Sequence, residues 1–446
     1  MKTGIGRARR SILGAATLAL VAIACTGGDN GDGRASPGAG ATASDPAAEP
    51  TTAATSPPAV AASFPGRLLL LSADGSLLTV RPDGTEVEVL AEGDPSQRRI
   101  LQAAWAPDGS RVAWSEVRNV DGTAQSLIVS TDATGGDLLE TPLDVAAFYL
   151  AWDPTSSRIA YLGNDDELGI GMGMVENEQG AAQTALAAGA PFYFSWAPEG
   201  DRLLTHVGDD RVDELAIDGT VERIGTDDAM FQAPAWSADG RSQVYAEARA
   251  GERHAIVVRD TRSGEARSVV TVDGAVSLVL SPDGSSLAVQ SLNEDELDLY
   301  DRSLPSRAEG VGVRVIDLES GGTVEVTRSP AVAFSWSPPG DRLAVLEPMY
   351  RANGPIYFRW VIWDGDDRIA TGPFSPGFAL LDQYAPFFTQ YAQSVTMWSP
   401  DGSAFAYPVD RPSEPTSIWI QPVEAAALPF RLGTGSFVAW GPEPGR

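Results

Sequence analysis

The chain carries several short acidic runs that could bind a cation or a basic ligand. Neighbouring carboxylates occur at Asp165 and Asp166, Asp209 and Asp210, Asp227 and Asp228, and Glu294 and Asp295. Clustered carboxylate oxygens suit Ca²⁺, and they also attract basic or sugar-like molecules. None of these runs has the D-x-[DN]-x-[DN]-G spacing of a calcium loop, so no metal ligand or cofactor is assigned. The alternative interpretation is that these acidic loops are simply solvated.

A second candidate is the segment Gly372–Ser394, which is rich in aromatic residues. Its candidate binding residues are Phe378, Tyr384, Phe387, Phe388 and Tyr391. Aromatic faces can stack on a ligand or a partner when they lie on an exposed loop. They can equally form a small core beneath a long loop. Both interpretations are open from the sequence.

Other kinds of chemistry have few residues to support them. The only histidines are His206 and His254, and we expect both to be half-exposed structural residues. The sequence contains no G-x-S-x-G nucleophile motif and no phosphate-binding loop. No catalytic residue is therefore assigned. The formal net charge of -28 repels phosphate backbones, which argues against nucleic acid as a partner.

The single cysteine, Cys25, follows a pattern typical of an exported protein. Arg7, Arg9 and Arg10 precede the apolar run Ile12–Ala24, which is too short to span a membrane as a helix. The residues Ala22-Ile23-Ala24-Cys25 resemble a bacterial lipobox, in which the cysteine is lipidated. The resemblance implies that residues 1–24 are a lipoprotein signal peptide and that a lipid anchor is the only membrane attachment. A plain signal peptide is the alternative, and the export route stays open.

Residues 25–63 are predicted to be a lipidated cysteine followed by a disordered tether. From Thr26 to Ser63, 31 of 38 residues are Gly, Ala, Ser, Thr or Pro. Such a segment has too few apolar side chains to form a core.

The remainder of the chain, residues 64–446, is organised by an internal repeat. The segment Trp105-Ala-Pro-Asp-Gly-Ser-Arg-Val-Ala-Trp114 recurs with fixed internal offsets. The copies start at Trp105, Trp152, Trp196, Trp236, Leu280, Trp336 and Trp398, and a truncated copy contains Trp440. Pro, Asp and Gly after the first residue favour a tight hairpin turn, and alternating runs separated by further Gly turns predict three more strands per copy.

Four antiparallel strands in about 40 to 45 residues are typical of a propeller blade. The copies resemble the TolB-type, WD40-like propeller repeat with its Trp-Ser-Pro-Asp-Gly signature, which Trp398-Ser-Pro-Asp-Gly402 matches in full. The resemblance implies an all-β fold with a single propeller. It implies little about function, because propellers of this type bind, scaffold, sense or accompany hydrolases.

The two ends of the chain are predicted to build one blade together. The last copy supplies a single strand near Trp440, and residues 67–90 supply the three strands that it lacks. This shared blade gives a count of eight and leaves no open sheet edge. Because Leu280 replaces Trp in one copy, a ring of seven blades with one irregular segment is the alternative.

Function is predicted to reside on one face of the ring. The loops between the second and third strands of each blade share a face with the connections between blades, and the Pro-Asp-Gly turns lie opposite. The acidic pairs and Gly372–Ser394 fall on the first face, here called the loop face. We therefore expect an exported, membrane-anchored module that binds or scaffolds an envelope protein or a small or polymeric ligand. The alternative is a metal-assisted enzyme of the carbohydrate or lactone class that uses face or channel carboxylates.

Overall fold

The computed structural model describes residues 64–208, 211–226, 229–250, 253–292, 311–350, 355–424 and 427–442. The chain divides into two units, residues 1–49 and 50–446, and every described residue belongs to the second. Strands β1 to β31 form eight antiparallel sheets, which are the blades of one propeller. The predicted all-β fold is confirmed.

The first four blades follow one another along the chain, with four strands each. Blade 1 contains β4 (Arg98–Trp105), β5 (Arg111–Val120), β6 (Thr123–Asp132) and β7 (Leu139–Leu143). Blade 2 contains β8 (Ala147–Trp152), β9 (Arg158–Asp165), β10 (Gly169–Glu176) and β11 (Gln183–Ala188). Blade 3 contains β12 (Phe192–Trp196), β13 (Arg202–Val207), β14 (Arg211–Ala216) and β15 (Val221–Thr226). Blade 4 contains β16 (Ala235–Trp236), β17 (Ser242–Arg249), β18 (Arg253–Asp260) and β19 (Ala266–Asp273).

The next three blades continue the same order. Blade 5 contains β20 (Ala275–Leu280), β21 (Ser286–Leu292), β22 (Arg314–Asp317) and β23 (Thr323–Glu325). Blade 6 contains β24 (Ala333–Trp336), β25 (Leu343–Met349), β26 (Tyr357–Trp363) and β27 (Arg368–Ala370). Blade 7 contains β28 (Ala404–Val409), β29 (Ser417–Pro422) and β30 (Phe430–Thr434). Its innermost position is taken by Trp398, which forms an antiparallel bridge with Phe405.

Blade 8 is shared by the two ends of the described chain. Its sheet order is β3-β2-β1-β31, with β1 (Leu68–Leu71), β2 (Leu77–Val80), β3 (Glu88–Ala91) and β31 (Phe437–Trp440). Leu68 pairs with Trp440 and Leu71 with Phe437, so the carboxyl-terminal strand is the innermost strand of this blade. The prediction of eight blades is confirmed, and the alternative of seven is wrong. The blade that begins with Leu280 in place of Trp is an ordinary four-stranded sheet.

The repeated turn residues act as their chemistry predicts. Gly402 has φ +68°, a left-handed conformation that glycine adopts without steric cost. The carboxylate of Asp401 accepts hydrogen bonds from the Ser399 hydroxyl at 2.7 Å and from the Ser403 backbone N–H at 3.0 Å. The turn aspartates are therefore ionised structural acceptors.

The repeated tryptophans join neighbouring blades. The indole N–H of Trp152 donates to the carbonyl of Ala104 at 3.3 Å, and that of Trp196 donates to Ala151 at 3.3 Å. The indole of Trp336 bonds Val279 in the same way at 3.1 Å. Their position between sheets accounts for the repeat without any chemical role. Within the described ranges, no helix is long and apolar enough to cross a membrane.

Candidate functional site

The segment Gly372–Ser394 lies in the central channel and is here called the plug. It contains a π-helical turn (Leu380–Tyr384), a 3-10 turn (Ala385–Phe387) and one α-helical turn, α1 (Phe388–Tyr391). The turn α1 packs against β12, β20 and β24, the innermost strands of blades 3, 5 and 6. Only a segment near the ring axis can contact first strands of several blades at once.

Polar contacts attach the plug to three further blades. The Tyr149 hydroxyl of blade 2 donates to the Gln390 carbonyl at 2.9 Å. The Gln393 amide donates to the Pro234 carbonyl at 3.2 Å, just before β16 of blade 4. On the side of blade 1, the Gln102 amide lies 3.4 Å from the Ser394 hydroxyl. These contacts distribute the attachment of the plug around the ring.

The plug supplies hydrogen-bond partners that the innermost strands would otherwise lack. An innermost strand has no neighbouring strand on its channel side, so the backbone N–H and C=O groups that face the channel need other partners. The Gln390 side chain accepts from the Phe194 N–H at 2.8 Å and donates to the Phe194 carbonyl at 2.9 Å. It also donates to the Tyr149 hydroxyl at 2.9 Å. Gln390 thus completes the inner edge of β12.

The five aromatic candidates in the plug differ greatly in exposure. Tyr384 and Phe388 are buried, and Phe387 and Tyr391 are half-buried. Phe378 is 66% exposed, the highest value among the large apolar side chains of the described residues. The surface that this segment offers to a partner is therefore concentrated at Phe378.

Phe388, Tyr391 and Tyr384 of the plug form aromatic contacts with the channel wall and with one another. The Phe388 ring lies 4.6 Å from the Phe334 ring of β24, measured between centroids. The Tyr391 ring lies 5.3 Å from Tyr149 of β8 and 5.8 Å from Tyr384. Burial raises the pKa of Tyr149 to about 12, and burial also raises the pKa values of Tyr384 and Tyr391. All three phenols are neutral at pH 7 and can donate a hydrogen bond.

A cavity of about 250 Å³ lies beside the plug on the loop face. It is bounded by the plug, by the start of β4, by the start of β31 and by the connection between β28 and β29. Aliphatic side chains form much of its wall, among them Leu71, Leu77, Ile100, Leu380 and Met397. Phe378 also lines it, so the exposed aromatic side chain stands at the mouth of an apolar cavity.

The acidic candidates are only partly covered by the structure. Asp165 and Asp166 lie at the loop-face end of blade 2, where the Asp165 carboxylate accepts the backbone N–H groups of Glu167 and Leu168 at 3.0 and 2.7 Å. Asp166 is exposed. The remaining acidic candidates, and the lipidation candidate, lie outside the described residues: Asp209, Asp210, Asp227, Asp228, Glu294, Asp295 and Cys25. In the part of the chain that is described, no three His, Cys, Asp or Glu side chains form a group that could hold a metal ion.

The two histidines have structural surroundings. Both are buried, so the expectation that they are half-exposed is wrong. The His206 ring stacks on Phe231 with 3.9 Å between centroids, and its Nδ1 lies 3.1 Å from the Gln232 carbonyl oxygen. His254 Nε2 accepts the Met230 backbone N–H at 3.2 Å. Each ring is enclosed because it packs beneath the connection between β15 and β16.

Sequence reasoning missed the polar residues that fix the plug and the arginine at the cavity. Gln390 and Thr389 stand between aromatic residues, and this mixture in one short segment is a signal for a buried, hydrogen-bonded insertion. The Thr389 hydroxyl accepts the Ala233 N–H at 3.3 Å. Arg99 lines the cavity, but its position at the start of a strand gives no comparable signal.

No protein-family model and no curated protein sequence matches this chain. Similar folds are found among solved structures. TolB from Acinetobacter baumannii is 17% identical, with 75% of this chain and 83% of that chain covered and a TM-score of 0.40. A eukaryotic initiation factor is 13% identical, with 85% and 99% covered and a TM-score of 0.51. Oligogalacturonate lyase in complex with manganese is 12% identical, with 83% and 86% covered and a TM-score of 0.45. At these identities the similarity concerns the propeller fold alone.

Proposed function

We propose that the protein is an exported, lipid-anchored binding module that receives an envelope protein or another ligand on its loop face, around Phe378. The observation that carries this proposal is the exposed Phe378 side chain at the mouth of the apolar cavity. Exposed aromatic side chains beside a concave apolar surface are typical of binding sites.

Contacts between the plug and the channel wall keep this surface ordered. Its hydrogen bonds to Phe194 and Tyr149 and its ring contacts with Phe334 hold the backbone that carries Phe378. A pre-ordered surface loses little conformational entropy on binding, which favours affinity. The surface around Phe378 is thus suited to recognition without rearrangement of the plug.

The sequence before the propeller supports export and anchoring. Cys25 occupies the position where the lipobox pattern needs it, and residues 26–63 have the composition of a flexible tether. A tether of that length has a root-mean-square span of about 35 Å, enough to hold a domain clear of lipid headgroups. Replacement Cys25→Ser is expected to move the protein from the membrane fraction to the soluble fraction after cell lysis. Unchanged membrane association would contradict the lipid anchor.

Capture from an envelope extract tests the binding surface. Phe378→Ser should remove the bound species seen by mass spectrometry, because the substitution takes away the exposed ring and leaves the buried part of the plug intact. The matched control is Leu138→Ser, which removes an apolar side chain that is 54% exposed on the opposite face, after β6. The proposal fails if both variants retain the same species as the unmodified protein, or if both lose it equally.

A further inference from the structure

We propose that the cavity beside the plug binds a small apolar monocarboxylic acid, with its carboxylate at Arg99 and its apolar part inside. This inference rests on the proposed function, since it names the ligand class of the same loop-face site. The cavity combines an apolar wall, one unpaired cationic side chain and the phenol group of Tyr384, and each of these features constrains the ligand.

Among the described residues that line the cavity, Arg99 is the only charged one. Its neighbour Arg98 forms an ion pair with Glu116 at 3.4 Å, whereas the Arg99 guanidinium has no ion pair or hydrogen bond with any residue that the structure describes. An unpaired guanidinium offers two parallel N–H donors that match a carboxylate. The positive charge of Arg99 in the cavity wall therefore favours one acidic group on the ligand.

Tyr384 provides a second donor within the cavity. The side chain lines the cavity and is only 8% exposed, yet its hydroxyl has no hydrogen-bond partner among the described residues. A phenol hydroxyl that forms no hydrogen bond with the protein is available to donate one to a bound acceptor. Because burial raises the pKa of Tyr384, the phenol remains protonated and donates the bond.

The volume limits the size of the ligand. An apolar cavity of about 150 Å³ holds one benzene molecule, so the 250 Å³ of this cavity correspond to about ten non-hydrogen atoms. An unbranched or aromatic acid of that size would fill the space between Leu71, Ile100 and Met397. Octanoate is a suitable probe of this class.

Calorimetric titration of the purified full-length protein with octanoate tests the inference. We expect saturable binding at one site. Arg99→Gln should raise the dissociation constant about tenfold, and the conservative Tyr384→Phe should raise it about threefold. Arg241→Gln, the same change on the opposite face, should leave it unchanged. Octanol should bind more weakly than octanoate and should be insensitive to Arg99→Gln, because it carries no charge.

Two results would overturn the inference. One is the absence of saturable octanoate binding by the unmodified protein. The other is octanoate binding that Arg99→Gln and Arg241→Gln affect equally, which would indicate attachment elsewhere. If the capture experiment with Phe378→Ser succeeds while octanoate does not bind, the proposed function stands and this ligand class is wrong. If octanoate binds as expected while capture does not depend on Phe378, the cavity is a ligand site and the proposed partner surface is wrong.

Discussion

Gln390 provides a sharp test of how the plug is held in the channel. Its side chain is 3% exposed and satisfies both the N–H and the C=O of Phe194 at 2.8 and 2.9 Å. Gln390→Met keeps nearly the same shape and removes these two hydrogen bonds, together with the one that the side chain donates to the Tyr149 hydroxyl. Two backbone groups of β12 would then be buried without partners. Each such group costs about 1–3 kcal/mol, so the free energy of unfolding should fall by about 2–6 kcal/mol.

Urea unfolding followed by tryptophan fluorescence measures this loss. Gln383→Met is the matched control, since Gln383 lies in the same plug, is exposed and has no hydrogen bond to a described residue. We expect the urea midpoint of Gln390→Met to fall clearly below that of Gln383→Met and of the unmodified protein. Amide hydrogen exchange should also become faster at Phe194, because its N–H loses its acceptor.

Coincident midpoints for Gln390→Met and Gln383→Met would refute this account. They would mean that the channel edge of β12 finds other partners, such as water, when Gln390 is replaced. A lower midpoint without faster exchange at Phe194 would instead assign the effect of Gln390 to packing.

Two further predictions concern ring closure and acid stability. A Cβ atom at Gly441 would lie 2.5 Å from the ring of Trp105, so Gly441→Ala should lower the free energy of unfolding in urea by about 1–3 kcal/mol through a clash at blade 8. Gly433→Ala is the control, because a Cβ atom there would have no atom within 4 Å. Equal urea midpoints for the two variants would contradict the clash. The hydrogen bond that the Ser237 hydroxyl donates to Asp239 lowers the pKa of that carboxyl below 3.8 in the folded state. The folded state therefore holds the proton less tightly than the unfolded state does. The contribution of Asp239 to the free energy of unfolding is present above pH 4 and is lost as pH falls through the folded pKa. The urea midpoint should therefore decline below about pH 4, and Asp239→Asn should reduce that decline; a decline of the same size in the variant would count against the turn carboxylate.

The blade architecture was predictable because the residues within each repeat specify its own turns and strands. A hairpin is specified by Pro, Asp and Gly at fixed positions after Trp398, and Gly402 adopts the left-handed conformation that this turn requires. The length of the repeat and the number of strands in it then define a four-stranded blade. The partial copy near Trp440 predicted that this segment pairs with residues 67–90. These inferences depend on short-range stereochemistry and on counting, so they needed no tertiary information.

The plug could not be placed in the same way. Its aromatic residues lie outside the repeat, and an apolar ring in a long connection can face either solvent or a core. The choice depends on the space and the unpaired backbone groups at the channel wall, which exist only after the eight blades have closed into a ring. Phe378 and Phe388 are ten residues apart in one segment, yet one is 66% exposed and the other 5%.

By itself, the sequence determined the repeat, the eight-bladed ring and the joining of both ends in one blade, because these features follow from turn chemistry and periodicity. Only the tertiary structure decided that the insertion fills the channel and that a cavity forms beside it. Arg99, Tyr384 and Phe437 are far apart along the chain and meet at that cavity because closing the ring brings β4 and β31 together around the plug. Such a site depends on long-range packing, which no local pattern encodes.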